Sequence, residues 1–203
     1  MKYTKFEFML YLLVVILSSS YYFDVAAVPN MDVCAACHGS DGNSKVDNWP
    51  KLAGLSQQYI VDQLKEYKKG QAGNRFEVSM YDIAKDLSDS DIDEYAGFYS
   101  RQIISKGEAK KNLYTLGQKI YRSGNAKSGV AACIACHGAD GKGNFLAKFP
   151  NLAGQNSGYV VTQLKKYRNG ERKTDYNGIM QDIASRLTDA EIEAVSSYVS
   201  GMY

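Results

Sequence analysis

Cys34-Ala35-Ala36-Cys37-His38 and Cys133-Ile134-Ala135-Cys136-His137 are two copies of one pentapeptide, and between them they use every cysteine and every histidine of the 203-residue chain. The C-x-x-C-H spacing is that of a covalent haem attachment site. Two thiols are placed to form thioethers with the vinyl groups, and the next residue offers an imidazole to the iron. Disulfides within the pairs would close only tiny loops and would leave each following histidine unexplained.

Aligning the two motifs also aligns most of the chain downstream of each. Cys34 matches Cys133 at an offset of 99, and Pro50-Lys-Leu-Ala-Gly54 matches Pro150-Asn-Leu-Ala-Gly154 at an offset of 100. One residue inserted between His137 and Pro150 accounts for the change. Tyr59, Gln63-Leu64-Lys65, Tyr67, Gly70, Met80 and Asp82-Ile83-Ala84 all recur one hundred positions later. A repeat of that length is too long for a solenoid unit. It marks two copies of a small domain, 28–106 and 107–203, the second opening with linker residues 107–111.

Both copies read as helical. Tyr59, Ile60, Leu64 and Tyr67 fall at helical spacing between Ser56 and Lys69, with Gly70 as the stop, and Tyr159 to Gly170 repeats the pattern. Ser88-x-x-Asp91 and Thr188-x-x-Glu191 resemble capping boxes, each opening a last helix. A shorter helix is expected over Leu113–Tyr121, ahead of the second motif, and no run alternates long enough for a sheet. The expected class is all-α. Domains this small bury little core of their own, so each haem should form the centre of one and the apo-chain should fold poorly.

The amino terminus carries Lys2 and Lys5, an apolar run from Phe8 to Leu17, and a small-residue site at Val25-Ala26-Ala27. That is the build of a secretory leader, residues 1–27. The run is about half the length of a bilayer crossing, and the competing reading is an uncleaved anchor. Beyond it the charge is uneven. Residues 28–106 hold nine basic and twelve acidic side chains, a net of −3, and residues 107–203 thirteen and eight, a net of +5. Such an asymmetry can steer docking. It leads us to expect one domain to face the electron donor and the other the acceptor. With no basic cluster, nucleic acid is not an expected partner.

With both histidines spent, a second axial ligand must be methionine, lysine, tyrosine, an amine terminus, or nothing. Only Met80 and Met180 occupy matched positions, 42 and 43 residues after the proximal histidines His38 and His137. We expect both in irregular segments just before a helix; the plainer reading is gap-filling core. Met31 and Met202 lack counterparts and read as ordinary packing or surface residues. Methionine ligation favours ferrous iron and raises the potential, and it closes the sixth position to peroxide or oxygen. That fits electron transfer rather than catalysis. Pro50 and Pro150 are expected to accept a hydrogen bond from the histidine ring through their carbonyls, fixing the imidazole. Trp49 and Phe149 are expected to wall the haem. Tyr59, Tyr159, Tyr67 and Tyr167 are open to two readings: donors to a haem carboxylate or ligand sulfur, or half-buried helix packing.

Taken together, Cys34-x-x-Cys37-His38-Gly39 with Pro50-x-Leu52-Ala53-Gly54, Tyr59, Gln63-Leu64 and Met80, and their second copies through Met180, make the chain resemble the dihaem cytochromes c of the cytochrome c4 family. The resemblance spans Cys34 to Tyr203. It implies two tandem class I cytochrome c domains and two covalent haem c groups. Single electrons would then pass between respiratory partners, from a bc1-type complex or small redox protein toward a terminal oxidase. It also implies a periplasmic protein, soluble or loosely held at the inner membrane, and an approximate twofold that brings the haem carboxylate edges together. Gly117 and Tyr121 match the first helix of such a domain and should cross the last helix near Tyr198. The first domain departs from the pattern, with only Val28 to Val33 and a discouraging Pro29 ahead of Cys34. Two other functions stay open: an electron-entry subunit of a periplasmic dehydrogenase or oxidase, and a dihaem peroxidase.

Overall fold

The computed structural model describes residues 31–202; the leader expected over 1–27 lies outside them. The described chain is helical throughout, with isolated β-bridges and no sheet. In chain order, the first half contains α1 (Asp32–His38), α2 (Gln57–Lys68), α3 (Val78–Ala84) and α4 (Asp89–Ser100). The second contains α5 (Tyr114–Ser123), α6 (Ile134–His137), α7 (Ser157–Arg168), α8 (Ile179–Arg186) and α9 (Asp189–Ser200).

Local chemistry sets the ends of these helices. Ser56 caps α2 by accepting from the Tyr59 backbone N–H, and Gly70 takes the positive φ of 60° that turns the chain after it. Both expected capping boxes form, Ser88 with Asp91 ahead of α4 and Thr188 with Glu191 ahead of α9. The helix expected over Leu113–Tyr121 is present as α5, shifted to Tyr114–Ser123, with Leu113 outside it as the cap position.

In the first half α2 packs on α4 and α3; in the second α9 lies against both α5 and α7, and α7 against α8. Close approach at the α5–α9 crossing requires Gly117, because a Cβ there would lie 2.2 Å from the Ala194 carbonyl oxygen and 2.7 Å from Tyr198 Cβ. Tyr121 stands one turn on, its ring 5.6 Å from that of Tyr198. Each half has its own core. One gathers Met31, Leu55, Ile60, Ile92 and Tyr99; the other Ile120, Tyr121, Leu164, Ile192, Val199 and Met202. Met31 and Met202 are thus both buried core residues.

The halves touch extensively. The backbone of Lys51 and the side chain of Gln155 exchange two hydrogen bonds, 2.8 and 2.9 Å long. The buried Lys51 ammonium donates to the carbonyls of Ser105 and Gly154. Ser105 is also held by Asn43, and Lys110 by Ser197, so the connecting segment is pinned to both halves.

Two apolar cavities and the wall between them

The two pentapeptides sit on α1 and α6, each helix ending at its histidine. His38 Nδ1 lies 2.9 Å from the Pro50 carbonyl oxygen and His137 Nδ1 3.0 Å from that of Pro150. A carbonyl can only accept, so Nδ1 carries the proton in both rings and Nε2 keeps its lone pair for a metal. Burial lowers the pKa of both imidazoles and so favours the neutral form; the bond to the proline carbonyl opposes this in part. Before a haem is attached, burial pushes the thiols of Cys34 and Cys133 up to about 11.

Each motif opens onto a cavity. The first, about 500 Å³, is lined by Cys34, Cys37, His38 and Pro50 and by Met80 on α3. The second, about 740 Å³, is bounded by Cys133, Cys136, His137, Pro150 and Met180 on α8. Leu52, Ile60, Leu64 and Leu87 line one, and Leu152, Val160, Leu164 and Leu187 the other. Both volumes fall in the range of small-molecule and cofactor sites. Two thiols, an imidazole with a free lone pair and a thioether around an apolar hollow are the donor set that a covalently tethered iron porphyrin takes. Among the described residues no group of carboxylates, histidines and cysteines is arranged to hold a bare metal ion.

Met80 and Met180 lie inside short helices rather than in irregular segments ahead of them: Met80 is third in α3 and Met180 second in α8. Helices of seven and eight residues are too short to show a periodic face in the sequence. Asp175 anchors the start of α8, accepting from the backbone N–H groups of Met180 and Gln181. Trp49 and Phe149 both line their cavities; Trp49 is 41% exposed, and the Phe149 ring lies 6.2 Å from that of His137.

Tyr59 and Tyr159 have partners that neither reading named. Tyr59 and Tyr159, with Gln63 and Gln163, line both cavities and so form the wall between them. Tyr159 accepts from Arg75 at 2.7 Å and Tyr59 from Arg172 at 2.8 Å, each arginine reaching into the opposite half. The reciprocity is that of an isologous contact about an approximate twofold. Each guanidinium also lies over a tyrosine ring of its own half, Arg75 over Tyr67 and Arg172 over Tyr167, both at 4.6 Å. Burial raises the Tyr67 phenol to about 12. Burial acts on Tyr59 in the same direction, but the charges of Arg172 and Arg75 outweigh it and hold that phenol below the ordinary tyrosine value. The repeat alignment does not reveal the arginines. At an offset of 100, Arg75 falls opposite Asp175, whereas in space it pairs with Arg172.

The cytochrome c family model matches residues 25–98 and 114–202. Cytochrome c4 of Thiocapsa roseopersicina is 43% identical over 171 residues, 84% of this chain and 87% of that one. The crystal structure of reduced recombinant cytochrome c4 from Pseudomonas stutzeri superposes with a TM-score of 0.82 at 39% identity, over 85% of this chain and 95% of that one. A thiosulfate dehydrogenase electron acceptor of Thiomonas intermedia is 35% identical over 179 residues, 86% of this chain and 81% of its own.

Proposed function

The chain belongs to the cytochrome c4 family and carries two haem c groups, and from that premise we propose that it passes single electrons between respiratory partners toward a terminal oxidase, each iron held between a histidine and a methionine. The observation that supports this most directly is that His38 and Met80 line one apolar cavity and His137 and Met180 the other. Haem c supplies a reversible one-electron iron couple. Everything else falls to the protein. Cys34, Cys37, Cys133 and Cys136 tether the group. Pro50 and Pro150 orient the imidazoles, and the leucine and isoleucine walls exclude water, which disfavours the charged ferric state. A thioether from Met80 or Met180 would leave no site on either iron for a reactant, which supports a carrier over a peroxidase.

In this reading residues 1–27 are removed on export to the periplasm, domains 28–106 and 107–203 face different partners, and association with the inner membrane is peripheral. Among the described residues no helix is long and apolar enough to cross a membrane. The likeness to a thiosulfate dehydrogenase electron acceptor supports a second reading of the donor side, in which a periplasmic dehydrogenase feeds the first electron. Co-purification from native membranes distinguishes the two by the protein that comes with it.

Replacing Met80 or Met180 by alanine tests the ligation. Each variant should keep two covalent haems, lose about half of the near-infrared thioether band, and acquire one haem that binds carbon monoxide; the parent protein should bind none at neutral pH. An unchanged band in either variant would remove that methionine from the site.

A further inference from the structure

Arg75 and Arg172 are buried, 4% and 3% exposed, and every hydrogen-bond partner they have is neutral. Arg75 donates to Gln63 Oε1 at 2.7 Å, to the Tyr159 hydroxyl at 2.7 Å and to Gln163 Oε1 at 3.1 Å. Arg172 donates to Gln163 Oε1 at 2.9 Å, to the Tyr59 hydroxyl at 2.8 Å, to Gln63 Oε1 at 3.0 Å and to Thr174 Oγ1 at 3.0 Å. The two guanidiniums thus share both glutamine oxygens, and their backbones form an antiparallel bridge. Among the described residues neither has a carboxylate within ion-pair distance. The nearby acids are engaged elsewhere: Glu77 with Lys166, Glu66 with Lys69, Asp175 with the backbone of Met180 and Gln181, and Glu171 with Asn169.

Burying one unpaired ion costs several kcal/mol, and placing two like charges around shared acceptors adds repulsion. Neutral amides and phenols do not balance the positive charge of two guanidiniums. Anionic groups must enter from outside the polypeptide, and the geometry leaves two ways in: Arg75 lines the first cavity and Arg172 the second. Haem c bears two carboxylates along one edge of its ring, and a guanidinium is the side chain best shaped to take a carboxylate through paired N–H bonds.

We infer that Arg75 and Arg172 are the counter-ions of the haem carboxylates, and that by sharing Gln63 and Gln163 across the wall they form one block of positive charge felt by both haems. The inference rests on the dihaem reading above. It adds a role that the repeat does not disclose: fixed positive charge disfavours the ferric state, so the block holds both potentials up, and each iron responds to the arginine of the opposite half as well as to its own.

The experiment is spectroelectrochemistry of Arg75→Gln and Arg172→Gln holoproteins, with each wave assigned through the haem methyl resonances. Each substitution should shift the nearer haem at least tenfold toward the oxidised form, about 59 mV for a one-electron centre, and move the farther haem in the same direction by less. Arg→Lys at either position should retain most of the potential. Unshifted potentials in glutamine variants that keep two low-spin covalent haems would overturn the inference while leaving the carrier function intact. Loss of the low-spin haems in the parent would instead count against the carrier reading. If the glutamine variants do not mature, a crystal structure of the parent holoprotein decides. A haem carboxylate oxygen within about 3 Å of each guanidinium supports the assignment, and its absence from either refutes it.

Discussion

The two halves begin the same helix in different ways. In the first, Ser56 caps α2 with its own hydroxyl. In the second, Asn156 stands at the equivalent position and makes no cap. Its amide reaches into the first half instead, donating to the carbonyls of Ser44, Val46 and Trp49 at 3.1, 3.1 and 2.9 Å. The start of α7 is then satisfied from the other side. The Asp47 carboxylate accepts from the Gly158 N–H and the Asp47 carbonyl from that of Tyr159, both at 2.9 Å, and the acid sits where the helix dipole favours it. No such exchange runs the other way among the described residues. The single inserted residue lets 144–149 close on itself through the Asn144–Phe149 bridge, with Lys148 at φ 60°, and the loop reaches α2 only through an exposed Lys148–Asp62 pair. The repeat is therefore symmetric at the arginine wall and directional at its edge: the first half's haem loop organises the second half's helix.

The largest break in this comparison is expected at the α5–α9 crossing, which belongs to the second half alone among the described residues. Gly117→Val drives a side chain into the Ala194 carbonyl and Tyr198. Overpacking of this kind costs about 3 kcal/mol, and here it falls on the helix pair that braces the second cavity. Differential haem content after expression should show the second haem depleted and the first retained. Equal loss from both halves would mean that they fold as one unit rather than two.

Asn156→Ala and Ser56→Ala test the directional edge. Loss of Asn156 removes three bonds to loop carbonyls and should cost about 2 kcal/mol, with faster amide exchange both in 44–49 and at the start of α7. Loss of the Ser56 cap should cost about 1 kcal/mol and raise exchange only in the first turn of α2. Confinement of the Asn156 effect to its own half would reduce the contact to a surface detail.

These contrasts also mark what the chain discloses before folding. The haem motifs, the repeat, both capping boxes and the turn glycine after α2 depend on neighbours a few residues apart, and each is legible in order along the sequence. The two proline carbonyls are legible because a short loop there meets a known chemical need. Arg75, Arg172 and Asn156 act only across the contact between halves, where partners lie about a hundred positions away. The arginines, moreover, pair at an offset of 97 while everything around them runs at 100. A repeat alignment shows what two copies share, and these residues matter because of how the copies meet.

The smallest effect separates two buried tyrosines in like surroundings. Tyr99 on α4 lies near Cys34, Asp41 and Tyr95, and Tyr121 on α5 near Cys133, Asp140 and Tyr198; burial raises both phenols well above the ordinary value. Two different helices thus deliver an aromatic ring to matching places. Their hydroxyls differ. Tyr121 donates to the Gly138 carbonyl at 2.7 Å, immediately after His137, whereas Tyr99 has no partner among the described residues. Removing a satisfied buried hydroxyl strands its acceptor, while removing an unsatisfied one relieves a desolvation cost. In urea unfolding of the holoprotein, Tyr121→Phe should therefore lose about 1 kcal/mol, and Tyr99→Phe should change stability by less than about 0.5 kcal/mol or gain slightly. Equal losses would show that the Tyr99 hydroxyl is bonded in the holoprotein, and the two halves would then be alike at this point.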